Sequence, residues 1–313
     1  MLKIAWSPVY AHPLPEGHRF PMEKYNLIPE QLLYEGTITK ENLFEPVAMA
    51  EVDVLRTHDE SYWQKLKNQT LSAKEIRRTG FPLSPALIER EIIIGQGTLD
   101  CAHFAREYGV AMNVSGGTHH AFTDRGEGFC LLNDIAMAAN CLLHSGHAQQ
   151  ILIVDLDVHQ GNGTAEIFRD EPRVFTFSMH CEVNYPMEKE KSDLDVPLPE
   201  GTRDPEFLAA LHRHLPHLLD TVRPDFVFFL SGVDIVATDK LGRMSCTREG
   251  CKARDRFVFS EMKRRGIPVA VSMGGGYSPN IIDIVEAHCN TFRLAREMYF
   301  GSKKGEIRKT NNS

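Results

Sequence analysis

Asp155, Asp157 and His159 stand two residues apart in the segment Asp155-Leu156-Asp157-Val158-His159, directly after the apolar run Ile151-Leu152-Ile153-Val154. On an extended chain, residues two apart point the same way, so all three can share one side. Two carboxylates and an imidazole are hard to bury unpaired, and a cation is one of few partners able to offset two carboxylates at a buried strand end. Taken alone, the segment also fits polar strand-end residues that hydrogen-bond to one another. Three further places shift the balance. His119 and His120 follow Gly116-Gly117, which allow a tight bend, and paired imidazoles are natural proton carriers near neutral pH. Asp234 closes the stretch Ser231-Gly232-Val233-Asp234. Tyr277 follows Gly274-Gly275-Gly276 and offers a hydroxyl that can donate to a developing oxyanion, or else simply packs. A mixed Asp/His/Asp set with one open position suits catalytic Zn²⁺, and less selectively Fe²⁺ or Co²⁺, but suits Ca²⁺ poorly. The extra bridging acids of a two-metal site are missing from Asp234-Ile235-Val236-Ala237-Thr238-Asp239 and from Gln160-Gly161-Asn162.

Something must bring these segments together. Five apolar runs have strand length: Val110 to Val114, Ile151 to Val154, Val174 to Phe177, Phe226 to Leu230 and Val269 to Val271. Their near-continuous hydrophobicity predicts strands covered on both faces. Ser84-Pro85, Asp204-Pro205 and Ser278-Pro279 each place a capping side chain before a proline suited to the first helical position. Asn133 and Thr247 are further caps, and Gly146 and Gly266 read as helix stops. Strands alternating with helices predict an α/β fold: a single domain with a mostly parallel sheet flanked by helices on both faces, spanning residues 1–300. Residues 301–313 are polar and read as a loose tail. In such a sheet, ligands bind beyond the carboxyl ends of the strands. Four of the five runs exit there into the polar segments above.

Composition narrows the function. The net charge of −7 and pI near 6.1 argue against a nucleic-acid surface, which needs a basic face, and remain compatible with a basic substrate. The chain shows neither a signal segment nor an apolar run of membrane-spanning length, so a cytoplasmic protein is expected. Seven cysteines, scattered without any C-x-x-C, suggest neither a disulfide framework nor a thiolate metal site.

These motifs resemble the zinc-dependent histone deacetylase superfamily. The resemblance runs from Arg19-Phe20-Pro21-Met22 through Gly117-Thr118-His119-His120-Ala121, Gly128-Phe129-Cys130 and Asp155-Leu156-Asp157-Val158-His159-Gln160-Gly161-Asn162-Gly163 to Gly274-Gly275-Gly276-Tyr277. The Gln160-Gly161-Asn162-Gly163 form and the short chain look most like class IV members and bacterial relatives. The resemblance implies the arginase/deacetylase-like fold and a Zn²⁺ held by Asp157, His159 and Asp234. It implies that Asp155 bonds His119, that Asn162 orients His120 as the main base and acid, and that Tyr277 polarises the acyl oxygen. Phe129, after Gly128, would wall a narrow acyl-lysine channel, with Tyr185 facing it, and Arg19 would sit near an inner cavity that releases acetate. A K⁺ or Na⁺ near Asp155, Asp157, His159, Ser178 and Met179 would brace the ligand loop. Asn162 departs from relatives with aspartate there, and a neutral amide should leave His120 less basic.

Other candidates read more plainly. His212, His214 and His217 do not share one helix face, His12 and His58 suit a rim or an ordinary surface, and Glu188 to Asp193 reads as a solvated loop beside the entrance. The function expected is hydrolysis of an N-acyl amide, with an acylated lysine of a protein as substrate. The alternatives are an acylated small amine such as an acetylpolyamine, and a non-catalytic acyl-group binder.

Overall fold

A computed structural model describes residues 1–301, so of the expected tail at 301–313 all but Gly301 lies outside the described residues. Eight strands are present among the described residues: β1 (Lys3–Ala5), β2 (Leu43–Phe44), β3 (Val110–Asn113), β4 (Ile151–Asp155), β5 (Val174–Cys181), β6 (Leu194–Leu198), β7 (Phe226–Leu230) and β8 (Val269–Ser272). They make one sheet in the order β2-β1-β3-β8-β7-β4-β5-β6, with every neighbouring pair parallel. Every residue of β3, β4, β7 and β8 is buried. That is why these strands read as unbroken apolar runs: helices cover both faces. Fully burying a side chain such as Phe228 or Phe229 contributes about 1.5–3 kcal/mol.

The helices are α1 (Lys24–Tyr34), α2 (Glu51–Val54), α3 (Glu60–Lys67), α4 (Ala73–Thr79), α5 (Pro85–Tyr108), α6 (Asp134–His144), α7 (Asn162–Ile167), α8 (Asp204–Val222), α9 (Arg248–Arg265) and α10 (Ile281–Phe300). Ser84 caps α5 by accepting from the Leu87 amide, Asn133 caps α6 through Ala136, and Thr247 caps α9 through Gly250. Gly266 ends α9 in the left-handed conformation, and Gly146, also left-handed, follows α6. Two expected caps act differently. The Asp204 carboxylate accepts from the Thr247 amide and hydroxyl, tying the start of α8 to that of α9. α10 begins after Ser278-Pro279 and is capped by Asn280, while Ser278 bonds the Thr238 hydroxyl.

The register of the sheet explains how the chemistry gathers. Asn113 pairs with Ser272, Ser272 with Leu230 and Leu230 with Asp155, so β3, β8, β7 and β4 end level with one another. Asp155 also pairs with Ser178 of β5, which runs four residues past its expected end. The loops leaving these adjacent strands carry the two histidines, the glycine-tyrosine turn, Asp234, and Asp157 with His159. No helix among the described residues is long and apolar enough to cross a membrane.

Candidate active site

Asp157, His159 and Asp234 converge just beyond the ends of β4 and β7, with one potential ligand atom from each within 4.8 Å of the others. They are the one group of this kind among the described residues. Asp157 and Asp234 are 2% and 0% exposed. Their spare lone pairs are held by main-chain donors: His159 N to Asp157 Oδ1 at 3.0 Å, Gly275 N to Asp157 Oδ2 at 2.9 Å, and Val158 N to Asp234 Oδ1 at 3.0 Å. His159 Nδ1 lies 3.0 Å from Asp157 Oδ1 and 3.1 Å from Asp234 Oδ2. Burial alone would depress the His159 imidazole, yet its hydrogen bonds to the two carboxylates push it up to about 10. Burial, and then the Asp157 charge, push Asp234 up to about 7. Two buried carboxylates that hold a proton on the imidazole between them are a set short of positive charge. The donor chemistry fits one divalent cation, with carboxylate oxygen and imidazole nitrogen as ligands.

The histidine pair sits beside this cluster on the loop after β3. Asp134 fixes that loop, accepting from the Thr118 amide and hydroxyl on one oxygen and from Thr98 and Ser272 on the other. His119 Nδ1 meets Asp155 Oδ2 at 2.7 Å, and His120 Nδ1 meets Asn162 Oδ1 at 2.7 Å. With an amide oxygen as acceptor, Nδ1 of His120 carries the proton and Nε2 keeps its lone pair. Burial, with His119 and His159 nearby, pulls His120 well below the usual histidine range. For His119, burial works the same way, but Asp155 and Asp157 outweigh it and raise the group. The two neighbouring imidazoles, 4.1 Å apart between ring centres, are therefore shifted in opposite directions.

The turn after β8 brings Tyr277 over the cluster. Gly274 and Gly117 pass so closely that a Cβ on Gly117 would lie 2.7 Å from the Gly274 Cα. A Cβ on Gly275 would lie 2.0 Å from Asp234 Oδ2. Close approach requires glycine at both positions, and Gly117 also takes a left-handed φ of 75°. The Tyr277 amide donates to Asp239 Oδ2 at 2.6 Å, and its ring stands 6.5 Å from His159 and 5.9 Å from both Phe20 and Phe129. Burial, then Asp157 and Asp234, hold the Tyr277 hydroxyl protonated far above its usual range.

A channel leads outward from this floor. Phe129 forms one wall in a left-handed conformation (φ 67°) that a bulky residue adopts only under constraint. Hydrogen bonds from Gly128 N to Arg78 O and from Phe129 N to Thr79 O supply the constraint. Tyr185 lines the same outer cavity, stands edge-on to His120 at 4.9 Å and donates to Glu127 Oε2 at 2.5 Å. Arg19 departs from expectation. It is exposed at the outer mouth, with its guanidinium 4.9 Å from the Phe129 ring centre, whereas Phe20 turns inward. The guanidinium that lines the small inner cavity is that of Arg90, which donates to Tyr10 O. The segment Glu188 to Asp193 is also less free than expected, because Gln160 clamps Glu190 through its amide N–H and carbonyl, and Lys189 donates to Asn184 O and Pro186 O.

His58 is buried instead of lying on a surface or rim; it sits between Phe122 O and the Asn133 amide. His212, exposed, packs on Phe257, and the α8 histidines take no part in the site. Besides Arg90, sequence reasoning missed two further buried cations. Lys24 reaches Gly274 O at 3.1 Å beneath the tyrosine turn. Arg254 donates to Leu156 O, Ser231 O and Gly232 O, lashing together the two loops that carry Asp157 and Asp234. In sequence both look like ordinary helix-surface charges.

Residues 18–292 match the histone deacetylase domain. The chain belongs to the histone deacetylase family. An uncharacterised protein of Picosynechococcus sp. is 46% identical over 296 residues, covering 95% of this chain and 99% of that one. Histone deacetylase 2 of Arabidopsis thaliana is 29% identical over 271 residues, 83% of this chain and 70% of its own length. Among solved structures, an HDAC homologue complexed with SAHA superposes with a TM-score of 0.81 at 25% identity, over 94% of this chain and 84% of that chain. Membership makes the protein a deacetylase-family hydrolase with the single-domain, parallel α/β architecture expected of it.

Proposed function

We propose that this hydrolase removes a short acyl group from a lysine side chain, using one Zn²⁺ held by Asp157, His159 and Asp234. The observation that carries the reading is the convergence of that charge-deficient ligand set, a neutral His120 and a protonated Tyr277 at the floor of one channel walled by Phe129 and Tyr185. When bound, zinc supplies a Lewis acid for the acyl carbonyl and lowers the pKa of water. The residues of the chain do the rest. Gly128, Phe129 and Tyr185 hold the extended side chain and exclude solvent. His120, with Nε2 unprotonated, accepts the proton of the attacking water and later delivers it to the departing amine nitrogen. Asn162 fixes its tautomer. His119, paired with Asp155, contributes positive charge nearby without taking that proton. Tyr277 donates to the acyl oxygen as negative charge develops there. The inner cavity, about 30 Å³, favours acetyl over long acyl chains.

We also propose a structural K⁺ or Na⁺ near Asp155, Asp157, His159, Ser178 and Met179; the register pairing of Asp155 with Ser178, both buried, supports it. A crystal map with only water-like coordination there would remove it. The substrate reading is tested by offering acetyl-, propionyl- and long-chain-acyl-lysine peptides and acetylpolyamines to zinc-loaded protein. Acetyl-lysine peptide should be cleaved fastest. Turnover of acetylpolyamine alone would replace this reading with a small-amine amidohydrolase, and turnover of nothing would favour a non-catalytic binder.

A further inference from the structure

The mouth of the channel has a charge opposite to that of the protein. The chain carries a formal −7, yet the outer cavity is lined by Arg19, Arg78 and Arg243 and by no carboxylate. Arg19 and Arg78 border it on the Phe129 side: Arg19 lies over that ring, and Arg78 accepts the Gly128 amide on its carbonyl. Arg243 borders it on the opposite wall, where its amide donates to Asn184 Oδ1 at 2.9 Å. Between them lie apolar side chains, including Val183, Leu241 and Met187, the last 82% exposed.

The carboxylates nearby do not cancel this charge. Glu127 is already engaged by Arg125 Nε at 3.0 Å and by the Tyr185 hydroxyl, with Arg78 at 4.0 Å. Glu200 is 3.8 Å from Arg243, but both side chains are more than half exposed and the pair is open to solvent screening. Glu182 and Glu188 adjoin the mouth in sequence without lining it. Arg19 makes no ion pair with any described residue. Beyond about 8 Å at physiological salt the negative remainder of the surface is screened, so an arriving substrate meets the guanidinium groups. Guanidinium forks take up carboxylates in a bidentate manner, and a stacked Arg19 is already oriented for it.

We propose that the substrate presents an acyl-lysine within an acidic stretch of polypeptide, with carboxylates on both sides of the lysine reaching Arg19 and Arg78 on one wall and Arg243 on the other. This rests on the acyl-lysine reading above. Cationic substrates, a lysine-rich tail or a polyamine, are repelled by the same three groups.

The experiment uses zinc-loaded full-length protein and acetyl-lysine peptides of equal length whose flanking residues are acidic, neutral or basic, together with free Nε-acetyl-lysine. At low salt kcat/KM should fall from acidic through neutral to basic peptides, by about tenfold or more from end to end, as expected for a few exposed ion pairs acting together. The difference should reside in KM, since contacts at the mouth are the same before and during bond cleavage, and it should shrink as salt rises above about 0.5 M. Arg19→Gln with Arg243→Gln should flatten the preference, and anisotropy with His120→Ala should show the same order in binding without turnover. Cleavage of the neutral peptide with no acidic preference overturns this inference and leaves the deacylase reading standing. A preference for free acetyl-lysine over the acidic peptide also overturns it. Failure to cleave or bind any acetyl-lysine compound defeats both.

Discussion

Replacing Tyr277 with phenylalanine isolates a single hydroxyl. What positions the residue should survive the change: the main-chain bond to Asp239 at 2.6 Å, the edge contact with Phe20, and the packing on Phe129. Zinc affinity should survive as well, because the hydroxyl is not among the ligand atoms. Burial and the adjacent Asp157 and Asp234 carboxylates keep that hydroxyl protonated at neutral pH, so wild type always presents a donor to the acyl oxygen. A donor of this kind gains strength as the oxygen becomes an oxyanion, and removing one typically costs about 10²–10³ in rate, roughly 2.7–4 kcal/mol. The neutral carbonyl of the substrate is a poorer acceptor, so KM should move by no more than about threefold. The assay is steady-state deacetylation of an acetyl-lysine peptide by both proteins at matched zinc occupancy. A kcat within about twofold of wild type would remove Tyr277 from the catalytic set. A large rise in KM at constant kcat would make it a ground-state binder instead.

Asn162→Asp places a carboxylate 2.7 Å from His120 Nδ1 in a buried setting, and should raise that imidazole by about 1–3 pH units. The acidic limb of the pH–rate profile should move upward with it; an unmoved limb would count against His120 as the base. His58, held near pKa 4 by burial, is neutral in the folded protein, whereas the unfolded chain takes up a proton near 6.5. Its contribution is therefore complete above about pH 6.5 and lost as pH falls towards 4, by roughly 3 kcal/mol in all. Urea titrations of His58→Gln should show a shallower pH dependence in that window than wild type, and an equal slope would refute the assignment. Arg254→Met leaves Asp255 buried with Thr291 as its remaining side-chain donor and strips three carbonyls of theirs, so unfolding free energy should drop by about 3–5 kcal/mol. A loss below about 1 kcal/mol would show that the lashing of the ligand loops is not structural.

Much of this molecule was legible because its central strands are buried on both faces. Continuous runs such as Phe226 to Leu230 then have few other readings, and the polar residues that follow them must lie at one rim. The edge strands left little trace: β2 has two residues, and β6 contains Pro197 and is mostly half-exposed. Arg19 lies at the outer mouth and not at the inner cavity because adjacent residues on an irregular segment can face opposite ways, and here it is Phe20 that turns inward. Lys24 and Arg254 were invisible for a different reason. A charged residue on a helix reads as solvent-facing, and only the packing of α1 and α9 against the strand-end loops shows these two to be wholly buried. Asp204 and Ser278 precede proline as good caps do, but partners distant in sequence, Thr247 and Thr238, took their side chains.

On the function proposed here, a single zinc at Asp157, His159 and Asp234 makes this channel a deacetylase. The most direct test is acetate release from an acetyl-lysine peptide, measured against metal content as chelated protein is reloaded with zinc. The expected result is one zinc per chain, with activity absent after chelation and rising in proportion to occupancy until that one site is full. Two metals per chain, or acetate release undiminished after complete chelation, would contradict it.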